Sequence, residues 1–289
     1  MKKKIIVLGA SGLIGHQIYS RLKLISEYKI IGFSNTINPS QEFVSTDVSN
    51  FVEFSKVVKR LKPDCIINCI GILIEASNAS TEKAIYLNAL FPHLLSNLCE
   101  EINAKLIHMS TDCVFSGDKE GPYKEEDLKD GMSIYAKTKA LGEIITDKHL
   151  TIRTSVIGPE IKENGTELFH WFVSQKEKIN GYNNVFWSGV TSLELARALE
   201  IFISSNITGL YHVTNNNTIS KYELLKLFKK YTNSDIDIEI YPNFHNDKTF
   251  KDSRLELNYQ FPSYDQMVRD MVDDIRINKN RYPHYKLII

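Results

Sequence analysis

The chain has 289 residues, 43% of them hydrophobic, which suffices to bury one large domain or a domain with a smaller lobe and excludes the disordered class. Thirty-five basic residues balance thirty-five acidic ones, so no overall positive field exists for a nucleic acid backbone or an anionic membrane surface, and any anionic ligand must be gripped locally. The four cysteines match neither a paired-thiol zinc pattern nor a secreted disulfide framework, and the eight scattered histidines show no His-Glu-x-x-His spacing, so no bound metal is expected.

The first element is a strand over residues 4–8. Met1-Lys2-Lys3-Lys4 ahead of Ile5-Ile6-Val7-Leu8 has the outline of a signal segment, but Gly9, Ser11 and Gly12 interrupt the apolar run. No later stretch reaches the roughly 18 apolar residues of a membrane span, and a cytoplasmic location is expected. Further strands are predicted at 29–33, 65–70, 105–109 and 150–154. Between them lie helical spacings, Ile14, Ile18, Leu22 and Ile25 in one, Phe51, Phe54, Val58 and Leu61 in another, each giving an apolar face to lay on a sheet. This alternation predicts an α/β, doubly wound, mostly parallel sheet over residues 1–157. Residues 158–289 are expected to form a smaller C-terminal substrate lobe, with helices at 167–178, 191–204, 221–231 and 264–277. The run Gly209-Leu210-Tyr211-His212-Val213 reads as a strand that returns to the sheet.

Gly9-Ala10-Ser11-Gly12-Leu13-Ile14-Gly15 follows the first strand and opens a helix, the context of a Rossmann-type dinucleotide loop. Gly9 permits the turn, Gly12 lets backbone approach a pyrophosphate, and Gly15 allows close packing of helix on sheet. The helix start adds unpaired N–H groups and partial positive charge. The second strand ends in Gly32-Phe33-Ser34-Asn35-Thr36 without the carboxylate that usually grips the ribose of NAD. Ser34 or Asn35 can hydrogen-bond a 2′-phosphate instead, although no arginine stands nearby. NADP is therefore preferred over NAD as the cofactor.

Ser133-Ile134-Tyr135-Ala136-Lys137-Thr138-Lys139 places a tyrosine and a lysine at i and i+4 on one helix face. An ammonium there would lower a phenol pKa of about 10 and make Tyr135 a better acid, though exposed surface helices carry such pairs too. Ser110-Thr111-Asp112-Cys113-Val114-Phe115 stands at the end of a predicted strand, where such sheets place ligand-binding groups; a helix cap or Asx turn uses the same residue types.

Taken with Gly142-Glu143, Arg153-Thr154-Ser155 and Asp252-Ser253-Arg254-Leu255, these segments resemble the extended short-chain dehydrogenase/reductase superfamily, and within it the dTDP-4-dehydrorhamnose reductase group of sugar-nucleotide 4-ketoreductases. The resemblance implies reduction of the 4-keto group of a nucleotide-linked deoxysugar for polysaccharide or capsule precursors. It makes Tyr135 the general acid, Lys139 its partner and nicotinamide-ribose anchor, Thr111 the carbonyl-binding group and Asp112 a substrate support. Asp47 and Val48 would border the adenine. Asn68-Cys69-Ile70-Gly71 would lie beneath the adenosine ribose and phosphates, and Asn88 matches the superfamily's central-helix asparagine. The implied partner is a nucleotide-sugar substrate, with no nucleic acid or membrane, and a homodimer is admitted.

Val156 departs from the bulky aromatic that rhamnose-forming reductases usually carry, which leaves room for another 4-keto sugar, a UDP-linked N-acetylated one included. Trp171, Tyr182, Phe186 and Trp187 are available for stacking, with ordinary packing as the alternative. Arg153, Arg197 and Arg254 are candidate diphosphate clamps, Arg254 foremost. Three rivals stay open. A 4,6-dehydratase usually carries Glu where Cys113 stands, a C4 epimerase would retain its NAD, and a non-catalytic dinucleotide-sensing protein would use the same fold.

Overall fold

Strands of four to seven apolar residues separated by amphipathic helices can bury both faces of a sheet only by placing helices on each side of it. A computed structural model, which describes residues 2–36, 39–119 and 121–286, shows that arrangement. The first half comprises β1 (Lys3–Leu8), α1 (Leu13–Leu22), β2 (Tyr28–Phe33), β3 (Phe43–Val44), α2 (Phe51–Leu61), β4 (Cys65–Asn68), α3 (Ile74–Ala79) and α4 (Thr81–Ala84). A π-helical turn, Ile85–Leu90, leads into α5 (Phe91–Glu101), followed by β5 (Lys105–Thr111), α6 (Ile134–Leu141) and β6 (Leu150–Thr154). The second half holds β7 (Val156–Ile157), α7 (Leu168–Ser174), β8 (Ile179–Tyr182), β9 (Val185–Trp187), β10 (Val190–Thr191), α8 (Ser192–Ser204) and β11 (Gly209–His212). It closes with β12 (Ile219–Ser220), α9 (Lys221–Thr232), β13 (Ile238–Tyr241), β14 (Asn246–Asp247) and α10 (Tyr264–Ile277).

The central sheet has seven strands in the order β11-β6-β5-β4-β1-β2-β3, every pairing parallel. After β1 the chain moves to β2 on one side and later to β4 on the other. The carboxyl ends of β1 and β4 therefore flank the switch point where such sheets open a crevice. Period-two alternation along β1 sends Ile5 and Val7 into one core layer, with α1, α8 and α10, and Ile6 and Leu8 into the other, with α2 and α5. The second layer is aromatic, with Phe54 and Phe91 at 5.6 Å edge to face and fully buried.

Three sequence expectations need adjustment. β5 continues two residues beyond 109, through Ser110 and Thr111, because both still pair with β6. The strand expected over 65–70 stops at Asn68, where the side chain turns inward to His108 Nδ1 at 3.0 Å and accepts the Ile70 N–H at 3.1 Å. The helix expected over 167–178 ends at Ser174, and the chain then enters β8, which pairs with β13 in a small separate sheet.

Candidate active site

The glycine loop sits at the switch point. Gly9 has φ +74°, a conformation open to glycine, and a Cβ on Gly15 would lie 2.1 Å from the Gly9 carbonyl oxygen, so neither position tolerates a side chain. Gly12 begins α1 with no side-chain cap, leaving first-turn N–H groups available to an anion. Beside the loop, Gly9, Ser11, Ser34, Asn35, Asp47, Val48 and Ile70 line a cavity of about 390 Å³. The Ser34 hydroxyl donates to Ser11 Oγ at 2.8 Å and that of Thr36 at 3.0 Å, so the end of β2 is a hydroxyl cluster without a carboxylate. Asp47 accepts the Ser49 N–H at 2.9 Å; hydrogen bonds from Ser49 hold its carboxyl below the usual range. Two lining residues carry no motif in sequence, Lys83 and Tyr86, whose hydroxyl donates to the Val48 carbonyl at 2.7 Å. Loop, cavity and hydroxyl cluster fit a dinucleotide.

A second cavity, of about 370 Å³, is lined by Leu13 and Ile14 of α1, by Ser110, Thr111, Asp112 and Cys113 at the end of β5, and by Tyr135 of α6. Thr154, Ser155, Val156, Thr166 and Glu167 complete it with Leu73, Ile74 and Glu75. Thr111 Oγ1 donates to Asp112 Oδ1 at 3.0 Å and accepts the Cys113 N–H at 3.1 Å, which fixes the hydroxyl at the strand end. Burial, with the Asp112 charge adding to it, pushes the Cys113 thiol up to about 12, so it stays protonated. Cys69 lies behind the glycine turn, half-buried, its thiol likewise pushed up to about 12 by burial.

Tyr135 and Lys139 are both buried on the same face of α6. Lys139 Nζ donates to the Met109 carbonyl of β5 at 2.7 Å, and burial lowers its pKa to about 8. The sequence suggested that this ammonium depresses the Tyr135 phenol. In this structure the opposite holds: burial raises Tyr135 well above its ordinary value, the Asp112 and Glu167 carboxylates add to it, and a hydrogen bond with Thr111 acts the other way. Gly71 keeps the opening beside Lys139 clear, since a Cβ there would stand 3.1 Å from Asn88 Oδ1 and 3.9 Å from Lys139 Nζ. Asn88, on the π-helical turn, clamps the segment after β4 by accepting the Ile72 N–H at 2.9 Å and donating to the Ile72 carbonyl at 3.0 Å.

None of the three arginines lines the cavity at the glycine loop or the one at Tyr135, so the diphosphate-clamp expectation gains no support there; Arg197 lines a separate cavity of about 330 Å³ with Gln17, Arg21 and Asp274. Arg153 is fully buried in a two-pronged pair with Glu143, Nε to Oε1 at 2.6 Å and Nη2 to Oε2 at 2.8 Å. Glu143 in turn accepts the Ser110 hydroxyl at 2.8 Å, so the pair braces the strand end instead of a ligand. Arg254 spans the Thr208 and Leu210 carbonyls at 2.6 and 2.8 Å and pairs with Glu256 while lying over the Tyr211 ring. Arg197 is held by Glu194 and Asp270. Trp187, the other candidate substrate residue, is buried, packed 5.4 Å from the Tyr264 ring, and does not line the cavity at Tyr135. Phe186 packs on His245. Trp171 and Tyr182, in contrast, are partly exposed and line a third cavity of about 690 Å³ with Lys221 and Tyr241. Thr166 lines both this cavity and the one at Tyr135, so the two are neighbours. Glu167 and Lys221 were missed because neither belongs to a motif.

A glycine turn at the switch point of a parallel sheet, with adjoining cavities over its carboxyl edge, defines a dinucleotide-binding class of fold. The chain belongs to the RmlD substrate binding domain family, which matches it over residues 2–256. It is similar to the spore coat polysaccharide biosynthesis protein SpsK of Bacillus subtilis (strain 168), 26% identical over 225 residues and 76% of each chain. It is also similar to the dTDP-4-dehydrorhamnose reductase of Salmonella typhimurium, 26% identical over 234 residues, 77% of this chain and 76% of that one. Among solved structures, a dTDP-4-dehydrorhamnose reductase from Bacillus anthracis in complex with NADP superposes with a TM-score of 0.82 at 24% identity, over 94% of this chain and 99% of that one. At that identity the likeness concerns the fold.

Proposed function

We propose that this protein is an NADP-preferring oxidoreductase that reduces the 4-keto group of a nucleotide-linked deoxysugar, with Tyr135, Lys139 and Thr111 at the reacting carbon. The observation that carries this reading is the convergence of Tyr135, Thr111 and Asp112 on one 370 Å³ cavity beside the glycine loop. Family membership and the printed activities of its relatives agree with it.

Bound along the loop, the reduced dinucleotide would supply the electron pair for the carbonyl carbon. The hydroxyl cluster of Ser11, Ser34 and Thr36 offers donors to a 2′-phosphate. Tyr135, fully protonated because burial raises its pKa, donates its proton to the carbonyl oxygen as charge develops there. Thr111 turns its hydroxyl from Asp112 to the same oxygen. Lys139 holds the ribose and, once its ammonium faces the phenol across the bound ligand, offsets the tyrosinate left behind. Trp171 and Tyr182 face the base of the nucleotide in the larger cavity.

A protonated, buried Cys113 cannot serve as the base of an elimination, which weighs against a dehydratase. The test of the assignment is Tyr135→Phe. Turnover should fall by on the order of a hundredfold or more while NADPH affinity, read by fluorescence titration, stays within about twofold, because only the proton donor is lost. Unchanged turnover would remove Tyr135 from the chemistry.

A further inference from the structure

Three carboxyl groups, those of Glu75, Asp112 and Glu167, line the cavity at Tyr135, and its lining among the described residues includes no Lys, Arg or His. Asp112 is engaged by the Thr111 hydroxyl. Glu167 is not explained by the chemistry above. It occupies the N-cap position of α7, where a side chain ordinarily accepts an N–H from the first turn, yet its carboxyl makes no such bond. Its backbone is what holds it, the Glu167 N–H donating to Glu160 Oε2 at 3.0 Å. Glu167 lines the cavity next to Thr166, which also lines the larger one that holds Lys221. It lies within electrostatic reach of Tyr135, Asp112 and Lys221.

Resting on the nucleotide-sugar reading, we propose that Glu167 determines the sugar class, selecting a ring that offers it a hydroxyl or amino proton and excluding a ring that carries a carboxylate. A carboxyl in a partly dry cavity accepts a charge-assisted hydrogen bond from O–H or N–H. A second carboxylate brought beside it and Asp112 must either be repelled or take up a proton. Burial, reinforced by the Glu160 carboxylate and opposed by Lys221, raises Glu167 to about 7, so at pH 8 it is mainly the charged group that accepts a hydrogen bond from a donor sugar and opposes a carboxylate. The discrimination is against charge, so the nucleotide end of the ligand is left to the other cavity.

The experiment measures binding of dTDP-glucose, dTDP-glucosamine and dTDP-glucuronate to the full chain saturated with NADP, by titration calorimetry at pH 8, with dTDP alone as the reference. Wild-type protein should bind the glucuronate at least about thirtyfold more weakly than the glucose and the glucosamine at least as tightly. Glu167→Gln should bring all three within roughly threefold with dTDP affinity unchanged, and Glu167→Asp, which keeps the charge, should retain the contrast. The same contrast in Glu167→Gln as in the wild type, or a loss of dTDP affinity matching the loss for the sugars, overturns the proposal and leaves the nucleotide-sugar reading standing. Failure of wild-type protein to bind dTDP or any of its sugars overturns both.

Discussion

Lys139 is shifted by burial toward neutrality. Burial lowers it to about 8, so the ammonium to which the proposal gives the ribose and the tyrosinate is present below that pH and is lost above it. Tyr135 is shifted the other way and keeps its proton across the same range. The free-enzyme profile of kcat/KM for reduction should therefore decline on one limb as pH rises through about 8, with no limb from the tyrosine. A profile flat to about pH 10 would contradict this. The spacing of Tyr135 and Lys139 and the position of Thr111 were legible in the sequence because helix and strand geometry fix which residues share a face or a strand end. The arginines were not. A sequence displays a guanidinium but not its partner: Arg153 pairs with Glu143 ten residues away, and Arg254, beside its near neighbour Glu256, spends Nη1 on backbone carbonyls forty-odd residues away. Nor does spacing reveal burial, which sets the direction of the Tyr135 shift against the expectation from charge alone.

At the scale of elements, the loop between β1 and α1 does the most with the fewest atoms. Its turn returns the backbone so tightly that α1 starts against the Gly9 carbonyl. Gly15→Ala drives a methyl carbon into backbone that has no side chain to move aside. NADPH should bind at least about tenfold more weakly to that variant, and its Tm should fall, by fluorescence titration and thermal unfolding. Wild-type affinity there would mean that the close packing of helix on turn is unimportant to the cofactor. Long periodic elements were read well: α10 runs over Tyr264–Ile277, as its apolar spacing predicts. The two-residue strand β3 escaped notice, since Phe43-Val44 offers no periodicity, and its place is decided by pairing with Gly32 and Phe33. The segment after 174 turned to strand for a similar reason, its pairing partner β13 lying some sixty residues on.

At the scale of the whole molecule, the second half is not an appendage. β11 completes the sheet beside β6, α8 lies against α1, and one apolar cluster contains Ile152 and Val7 together with Phe169, Phe228 and Met271. That continuity fixes the cavity carrying Trp171 and Tyr182 relative to the one carrying Tyr135, so a ligand long enough to hold a base, a diphosphate and a sugar can be placed with its ring at the phenol. A reductase built this way consumes its cofactor, whereas an epimerase on the same fold returns it. The most direct measurement is the stoichiometry of purified protein acting on a dTDP-linked 4-keto-6-deoxy sugar with NADPH in excess. One NADPH oxidised for each sugar converted to the 4-hydroxy product is the predicted result; a sugar isomerised without net NADPH loss, by protein that arrives with tightly held nicotinamide, would contradict it.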